Sequence, residues 1–191
     1  MLKQLLLVAI AIGVVYCQEC PMFNAVENDV SLFDDLNGEF YKIFAVGATI
    51  VDDCQKQKFI NGPNELTGYL QSSNWCTRME KCDTSSSAYY VCDHVPLTSG
   101  FASLPSTQRN SIKLVRRIEA GDNLCLIYSY CRVGEEATHL ICRKPVPVQL
   151  ILSLWAQFVS ILKEFLGSSL PSGTLKLVKQ ASCTYSDECF S

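Results

Sequence analysis

Eleven cysteines in 191 residues constrain this chain more than any other feature of its sequence. The first of them, Cys17, follows an N-terminal segment in which Lys3 precedes an apolar run over residues 5–15. A run of about 11 residues has the length of a signal-peptide core and is too short to span a bilayer. We therefore predict a signal peptide over residues 1–17, a mature chain that begins at Gln18, and a secreted, extracellular protein.

Without Cys17, the mature chain has an even number of cysteines, which is typical of a disulfide framework behind a secretory signal. Zinc sites usually pair cysteines about two to four residues apart. The closest cysteines of the mature chain, such as Cys76 and Cys82, have five residues between them. The sequence therefore predicts five disulfide bonds and no metal site. The ten cysteines are Cys20, Cys54, Cys76, Cys82, Cys92, Cys125, Cys131, Cys142, Cys183 and Cys189.

Composition excludes two broad classes of protein. Hydrophobic residues make up 48% of the chain and charged residues 18%, which argues against disorder. The formal net charge is −3, whereas a nucleic-acid-binding protein is usually basic. We therefore expect one folded domain over residues 18–191 that does not bind nucleic acid.

Extended segments follow one another along most of the mature chain, without helices between them. They combine β-branched and aromatic residues with turn signals, and Val133 and Gly134 form a predicted hairpin turn. In segment 111–119 we expect Ile112, Leu114 and Ile118 to share one face. Six to eight consecutive strands indicate an antiparallel sandwich or an up-and-down barrel. Strands are predicted at 40–51, 66–71, 75–82, 88–95, 111–119, 124–131 and 138–143, with part of 99–110 able to pair and one more possible strand at 174–179.

The hydrophobic period changes after Pro145 and Pro147, where Val148–Leu166 is a predicted helix that ends at Gly167. Apolar residues recur there every three or four positions. We expect this face to dock on the outside of the sheet. Contact with a membrane surface is a less favoured alternative, and the apolar stretch is short for a span and contains two glutamines.

Four segments resemble the lipocalin family, in particular the secreted lipocalins similar to apolipoprotein D. Residues 37–43 (NGEFYKI) resemble the first lipocalin motif, G-x-W-Y, with Phe40 in place of tryptophan. Residues 122–131 (DNLCLIYSYC) resemble the seventh strand, and residues 140–145 (LICRKP) resemble the eighth strand with its closing arginine. Residues 180–183 resemble the terminal Gln-x-x-Cys of the family.

The resemblance implies an all-β fold with one helix. The expected architecture is an eight-stranded antiparallel up-and-down β-barrel, the lipocalin calyx, with the C-terminal helix packed outside and disulfides bracing it. Gly38, Phe40 and Arg143 are then structural residues, with the guanidinium packed across the aromatic ring. The implied function is to bind and carry or sequester a small hydrophobic ligand, such as a fatty acid, a sterol or a pigment.

An eight-stranded barrel is just wide enough to hold one small ligand, so the side chains of each strand must alternate between interior and exterior. In segment 124–131 we assign Leu124, Leu126, Tyr128 and Tyr130 to the interior, because disulfides that brace a barrel usually lie outside. Tyr90 is assigned with them. These residues either contact a ligand or only fill the core, and the sequence leaves both interpretations open.

Two disulfides are implied by the resemblance, namely Cys20–Cys131 and Cys54–Cys183. The pairing of the other six cysteines stays open. If residues 133–134 form a two-residue turn, Cys125 lies opposite Cys142, and Cys82 with Cys92 could close a hairpin around residues 85–87. Cys76 and Cys189 would then be left for each other.

The sequence contains no catalytic motif of the G-x-S-x-G, P-loop or H-E-x-x-H type, so we predict no enzyme, no catalytic residue and no cofactor. His94 and His139 are its only histidines. His139 could point into the barrel, although a lone histidine is more often structural or solvated. The main alternative is a secreted lipocalin-fold protein that engages a macromolecule through its loops. A cavity enzyme with a reactive cysteine is a third alternative, which the even number of cysteines disfavours.

Overall fold

The computed structural model describes residues 20–47, 52–62, 65–72, 76–83, 89–97, 108–132, 135–167, 175–185 and 187–190. Eight antiparallel strands form a closed barrel, which confirms the predicted fold. The strands are β1 (Gly38–Val46), β2 (Lys56–Asn61), β3 (Glu65–Gln71), β4 (Cys76–Asp83), β5 (Tyr90–Pro96), β6 (Gln108–Ala120), β7 (Asn123–Arg132) and β8 (Glu135–Cys142). The helices are α1 (Pro21–Ala25) and α2 (Val148–Leu166), and a short strand β9 (Lys176–Leu177) and 3-10 turns at Val30–Leu32 and Asp187–Phe190 complete the fold.

Strand β1 closes the barrel, because each of the other barrel strands pairs with its neighbours in sequence and β1 pairs with both β2 and β8. Its first half lies against β2, with Gly38 opposite Phe59. On the other edge Tyr41 lies opposite Cys142 of β8. Strand β9 continues the β2 side of β1, where Phe44 lies opposite Leu177.

Side-chain alternation divides the apolar residues between two clusters, as expected of a barrel with a helix outside it. The inner cluster fills the barrel, and the outer cluster lies between the barrel wall and helix α2. Buried members of the inner cluster are Leu32, Leu36, Phe40, Phe59, Leu66, Met79, Cys82, Tyr90, Cys92, Ile112, Leu114, Leu126, Tyr128 and Ile141. The outer cluster includes Ile43, Phe44, Val115, Ile118, Cys125, Ile127, Leu140 and Cys142 of the wall and Leu154, Phe158, Ile161 and Leu162 of α2.

Helix α2 docks on the barrel as predicted, mainly through Phe44 of β1. The Phe44 ring stacks on Phe158 and meets Trp155 edge to face, with centroids 6.0 and 5.2 Å apart. Gly167 ends the helix with a φ of +62°, and its N–H donates to the Lys163 carbonyl. By length and apolar composition α2 alone, among the described residues, could also cross a membrane.

Two bulges change which face the following residues present. In β6 the register shifts between Leu114 and Arg116, so Ile118 lies in the outer cluster. The prediction that Ile118 shares a face with Ile112 and Leu114 is therefore wrong, because the extra residue of a bulge reverses the alternation. In β1 the register shifts between Lys42 and Phe44, which places both Ile43 and Phe44 in the outer cluster.

Strand β2 was not predicted, and polar side chains are the reason. Its sequence, KQKFIN, contains Lys56, Gln57 and Lys58, which break the apolar alternation. Strand β6 begins at Gln108, earlier than predicted, and β1 ends at Val46. The predicted signal peptide and the turn at 133–134 lie outside the described residues.

The structure joins the ten cysteines in the five predicted pairs. Three of these bonds close loops of 111 to 129 residues, each worth about 4 to 5 kcal/mol of stability in the chain-entropy model. The expectation that the disulfides lie outside the barrel is wrong for Cys82–Cys92, whose sulfur atoms belong to the inner cluster. Cys125–Cys142 lies in the outer cluster beside helix α2.

Disulfides also fix the C-terminal tail along the outside of β2. Beside this tail the Lys56 ammonium lies 5.1 to 5.6 Å from the centres of the Tyr41, Tyr185 and Phe190 rings. Glu39 pairs with the same ammonium at 2.8 Å. This aromatic surround accounts for the burial of a lysine on the outer face of a strand.

Arg143 fastens the end of the barrel at which β1 begins. Its guanidinium carbon lies 4.4 Å from the centre of the Phe40 ring, as the resemblance implies, and Nη2 donates to the Asp35 carbonyl at 3.0 Å. Gly38 has a φ of +95°, and a Cβ there would lie 2.4 Å from Arg143 Nη1. The backbone conformation therefore favours glycine, and an added Cβ would also displace the guanidinium from its place over Phe40.

Substituting Gly38→Ala should lower the free energy of unfolding by about 3 kcal/mol, because the methyl group strains the backbone and displaces Arg143. Gly121→Ala is the matched control. Gly121 also has a positive φ, of +66°, but no atom lies within 4 Å of an added Cβ. We therefore expect Gly121→Ala to lower the free energy of unfolding by only about 1 kcal/mol. Urea unfolding of the oxidised proteins measures both values, and equal losses would contradict the role given to Arg143.

Candidate functional site: the barrel interior

The five residues predicted to face the interior all do so. Leu126, Tyr128 and Tyr90 are buried in the inner cluster, and Leu124 and Tyr130 pack against it. Strand β7 alternates as expected, since Cys125 and Ile127 belong to the outer cluster. The geometry places these side chains inside the barrel and brings Tyr128 and Tyr130 close to His139.

Apolar side chains fill the interior at the end where β1 begins. Phe40, Phe59, Leu126 and Ile141 form a layer in which the Phe40 and Phe59 ring centroids are 6.0 Å apart, edge to face. Leu32 and Leu36, from the segment that precedes β1, pack under the same layer. This end of the barrel is therefore occupied by the side chains of the chain itself.

A polar layer lies directly above this apolar layer. The polar layer has four residues, one on each of four strands. Each of them is two positions before or after an apolar residue of the lower layer, and residues two positions apart in a strand lie on the same face. Gln57 Nε2 donates to the Tyr128 hydroxyl at 2.8 Å. The His139 ring stacks on Tyr128, with centroids 5.0 Å apart, and lies 5.3 Å from the Tyr130 ring. The polar layer consists of Lys42 (after Phe40), Gln57 (before Phe59), Tyr128 (after Leu126) and His139 (before Ile141).

Several polar atoms of the interior have no hydrogen-bond partner within the described part of the chain. They are Nδ1 and Nε2 of His139 and Oε1 of Gln57, together with Oδ1 of Asn110, which lies opposite Cys92. Exposure of His139 is 2% and that of Gln57 is 1%. A buried polar atom without a partner costs about 1 to 3 kcal/mol, so these atoms lower the stability of the folded chain.

Burial also changes the protonation of the polar layer. It lowers the pKa of Lys42 to about 7, although attraction to Asp52 partly opposes the shift. Burial, and secondarily the charge of Lys42, hold the pKa of His139 well below its ordinary value. Burial raises the pKa of Tyr130 to about 12 and raises that of Tyr128 as well. At neutral pH His139 and both tyrosines are therefore neutral, and Lys42 is close to its midpoint.

Lys42, Gln57 and Asn110 were not predicted as site residues, and His139 was expected to be structural or solvated although it could point into the barrel. The sequence did contain a signal for Lys42. This residue is two positions after Phe40 in a strand of mostly apolar residues, so its side chain must lie on the same inward face as Phe40. Gln57 had no such signal, because β2 itself was not recognised. Asn110 lies near the start of β6, in the segment 99–110 of which only a part was expected to pair.

The interior offers polar contacts from Gln57, Tyr128, Tyr130 and His139. All ten described cysteines are in disulfides, so none of them supplies a thiolate nucleophile. Within the described ranges, no group of three or more His, Cys, Asp or Glu side chains could hold a metal ion. The arrangement can donate and accept hydrogen bonds to a molecule whose remaining surface is apolar.

Comparison with protein-family models finds no match for this chain, and comparison with curated proteins finds no significant match. The architecture itself fits the lipocalin-like fold in general, with eight antiparallel strands closed into a barrel and one long helix outside it. The candidate site therefore has to be judged from its own geometry.

Substituting His139→Phe should increase stability most in acid. The unfolded chain binds a proton at His139 below a pH of about 6.5, whereas the folded chain resists protonation, so the wild type loses stability as pH falls. As pH falls, the difference in free energy of unfolding between the variant and the wild type should grow by up to about 1.4 kcal/mol per pH unit. Urea unfolding between pH 7.5 and 4.5 measures it, and a difference that does not change with pH would contradict the burial of His139.

Lys42→Met should behave differently, with its pH dependence on the alkaline side. Because the folded pKa is about 7, the unfolded chain binds more protons than the folded chain between pH 7 and 10.5. The stability gained by the variant should therefore increase as pH falls from 10.5 to 7 and become constant below pH 7. Denaturant midpoints at pH 6, 7, 8.5 and 10 distinguish this profile from the flat difference expected of an exposed lysine.

Proposed function

We propose that this protein is a secreted lipocalin that binds a small hydrophobic ligand inside its barrel and carries or sequesters it. The observation that carries the proposal is the layer of buried polar side chains above an apolar floor. Side chains that only fill a core rarely leave both nitrogens of a buried histidine without a partner. A ligand with a polar end would supply the missing partners.

The interior is suited to an amphipathic ligand on physical grounds. Burial of apolar ligand surface contributes about 25 cal/mol per Å², which gives affinity without specific geometry. Orientation then comes from a few polar contacts, for which Tyr128, Tyr130 and His139 are available. Affinity from apolar burial and orientation from polar contacts require no chemical step. We therefore propose that the protein binds its ligand and does not act on it as an enzyme.

Secretion is part of the proposal. The five disulfide bonds within this single domain are consistent with an oxidising, extracellular compartment. A carrier outside the cell also has to survive without chaperones. The three long disulfide loops lower the entropy of the unfolded chain and so support such persistence.

Ligand binding is tested by titrating the oxidised protein with oleic acid, cholesterol and biliverdin and measuring heat by calorimetry. Leu70→Trp is the diagnostic variant, because Leu70 lies opposite Gln57 and packs against the inner cluster. The larger ring should weaken binding about tenfold or more, because its extra volume takes up space inside the barrel that the ligand would otherwise occupy.

Tyr69→Trp is the matched control for this experiment. Tyr69 is the neighbouring residue on the opposite face of β3, where its ring meets Phe190. The control should bind as the wild type does. If no member of the panel binds the wild type, the carrier proposal fails and the alternative of a protein that engages a macromolecule through its loops is favoured.

A further inference from the structure

The interior of the barrel contains two groups that gain positive charge on protonation, Lys42 opposite Ile141 and His139 opposite Ala45. Lys42 is 5% exposed and His139 is 2% exposed, and the two lie on adjacent strands β1 and β8. The His139 ring is held in place by stacking on Tyr128. Two buried groups that both gain positive charge on protonation would repel each other in an empty barrel.

The acidic groups near this pair are few and mostly engaged. Glu135 accepts a hydrogen bond from the Tyr130 hydroxyl at 3.0 Å and also pairs with Arg132. Asp52, which precedes β2, attracts Lys42. The other described residues of the polar layer, Gln57 and Tyr128, are neutral. The described residues of the polar layer include no acidic side chain of their own, and Asp52 is the nearby counter-charge wherever Lys42 is protonated.

Different ligand head groups would satisfy this layer to different degrees. An entirely apolar ligand would leave both ring nitrogens of His139 without partners and would keep them and the Lys42 ammonium from water. A hydroxyl group could reach one of them. A carboxylate has two acceptor oxygens and a negative charge, so it can accept a hydrogen bond from each residue and neutralise the lysine.

We propose that the ligand is a fatty carboxylate whose head group is bound by Lys42 and His139 inside the barrel. The inference rests on the function proposed above and specifies its ligand class. The apolar chain of the ligand then lies along the remaining inner surface, which includes Leu70 and Ile112. Gln57 is a positioning residue, since its hydrogen bond holds the Tyr128 ring against His139.

The test compares dodecanoate with 1-dodecanol, which has the same alkyl chain without the charge. Affinities of the oxidised, delipidated protein for both ligands are measured at pH 7.4 by calorimetry. The wild type should bind dodecanoate at least about tenfold more tightly, because a hydrogen bond to a charged group contributes about 1.5 to 3 kcal/mol.

Three variants assign the effect to the two residues. Lys42→Met should weaken dodecanoate binding about tenfold to a hundredfold and leave dodecanol binding unchanged. His139→Phe keeps a ring to stack on Tyr128 and should weaken dodecanoate binding selectively, by about tenfold. Lys58→Met is the control, because it removes one positive charge from the outer face of β2, where Lys58 donates to the Phe190 carbonyl, and it should change neither affinity.

Each outcome decides one of the two proposals. Equal affinities of the wild type for dodecanoate and dodecanol would overturn the carboxylate site and leave the carrier function standing. A loss of both affinities in Lys42→Met, with unchanged circular dichroism, would also overturn it. Failure of the wild type to bind either ligand would overturn the carboxylate site and leave the carrier function to be decided by the panel of oleic acid, cholesterol and biliverdin.

Discussion

Closure of the barrel by β1 is the constraint on which the rest of the structure depends. One edge of this strand pairs with β2 over the first half of its length, and the opposite edge pairs with β8. Strand β1 alone therefore joins the two ends of the sheet. The packing of Arg143 on Phe40 and the close approach to Gly38 occur at this seam. Closure creates the interior, and it also creates the outer wall on which α2 docks through Phe44.

A single bulge in β1 allows this strand to contribute side chains both to the barrel interior and to the outer cluster. Before the register shift, Phe40 and Lys42 point inward, and after it Ile43 and Phe44 both belong to the outer cluster. The inner positions can therefore carry polar groups while the outer positions anchor the helix. The polar layer lowers stability through the burial of Lys42 and His139, whereas the long-loop disulfides and the apolar outer cluster raise it. Groups that destabilise an otherwise well-packed core are characteristic of binding sites.

The fold was largely predictable, because alternation in β7 and β8, the helical period of α2 and the even number of cysteines are local signals. Two disulfide pairs were implied by the resemblance, two were suggested by hairpin register, and Cys76 and Cys189 were left for each other. The site was harder to predict, since it depends on which strands become neighbours. Lys42 and His139 are 97 positions apart in the sequence, and only the β1–β8 pairing that closes the barrel brings them together. Ile118 and the Cys82–Cys92 bond were placed wrongly, because bulges in β6 and between β3 and β4 change the face.

The central claim is that the barrel holds an amphipathic molecule, and native mass spectrometry of the protein secreted by its own cells tests it most directly. The account predicts a chain that begins at Gln18, lacks about ten hydrogens relative to the reduced form because of its five disulfides, and carries one additional mass. Solvent extraction should release that mass as a lipid-like acid. A secreted protein that has the mass of the bare oxidised chain and yields no extractable lipid would contradict the account.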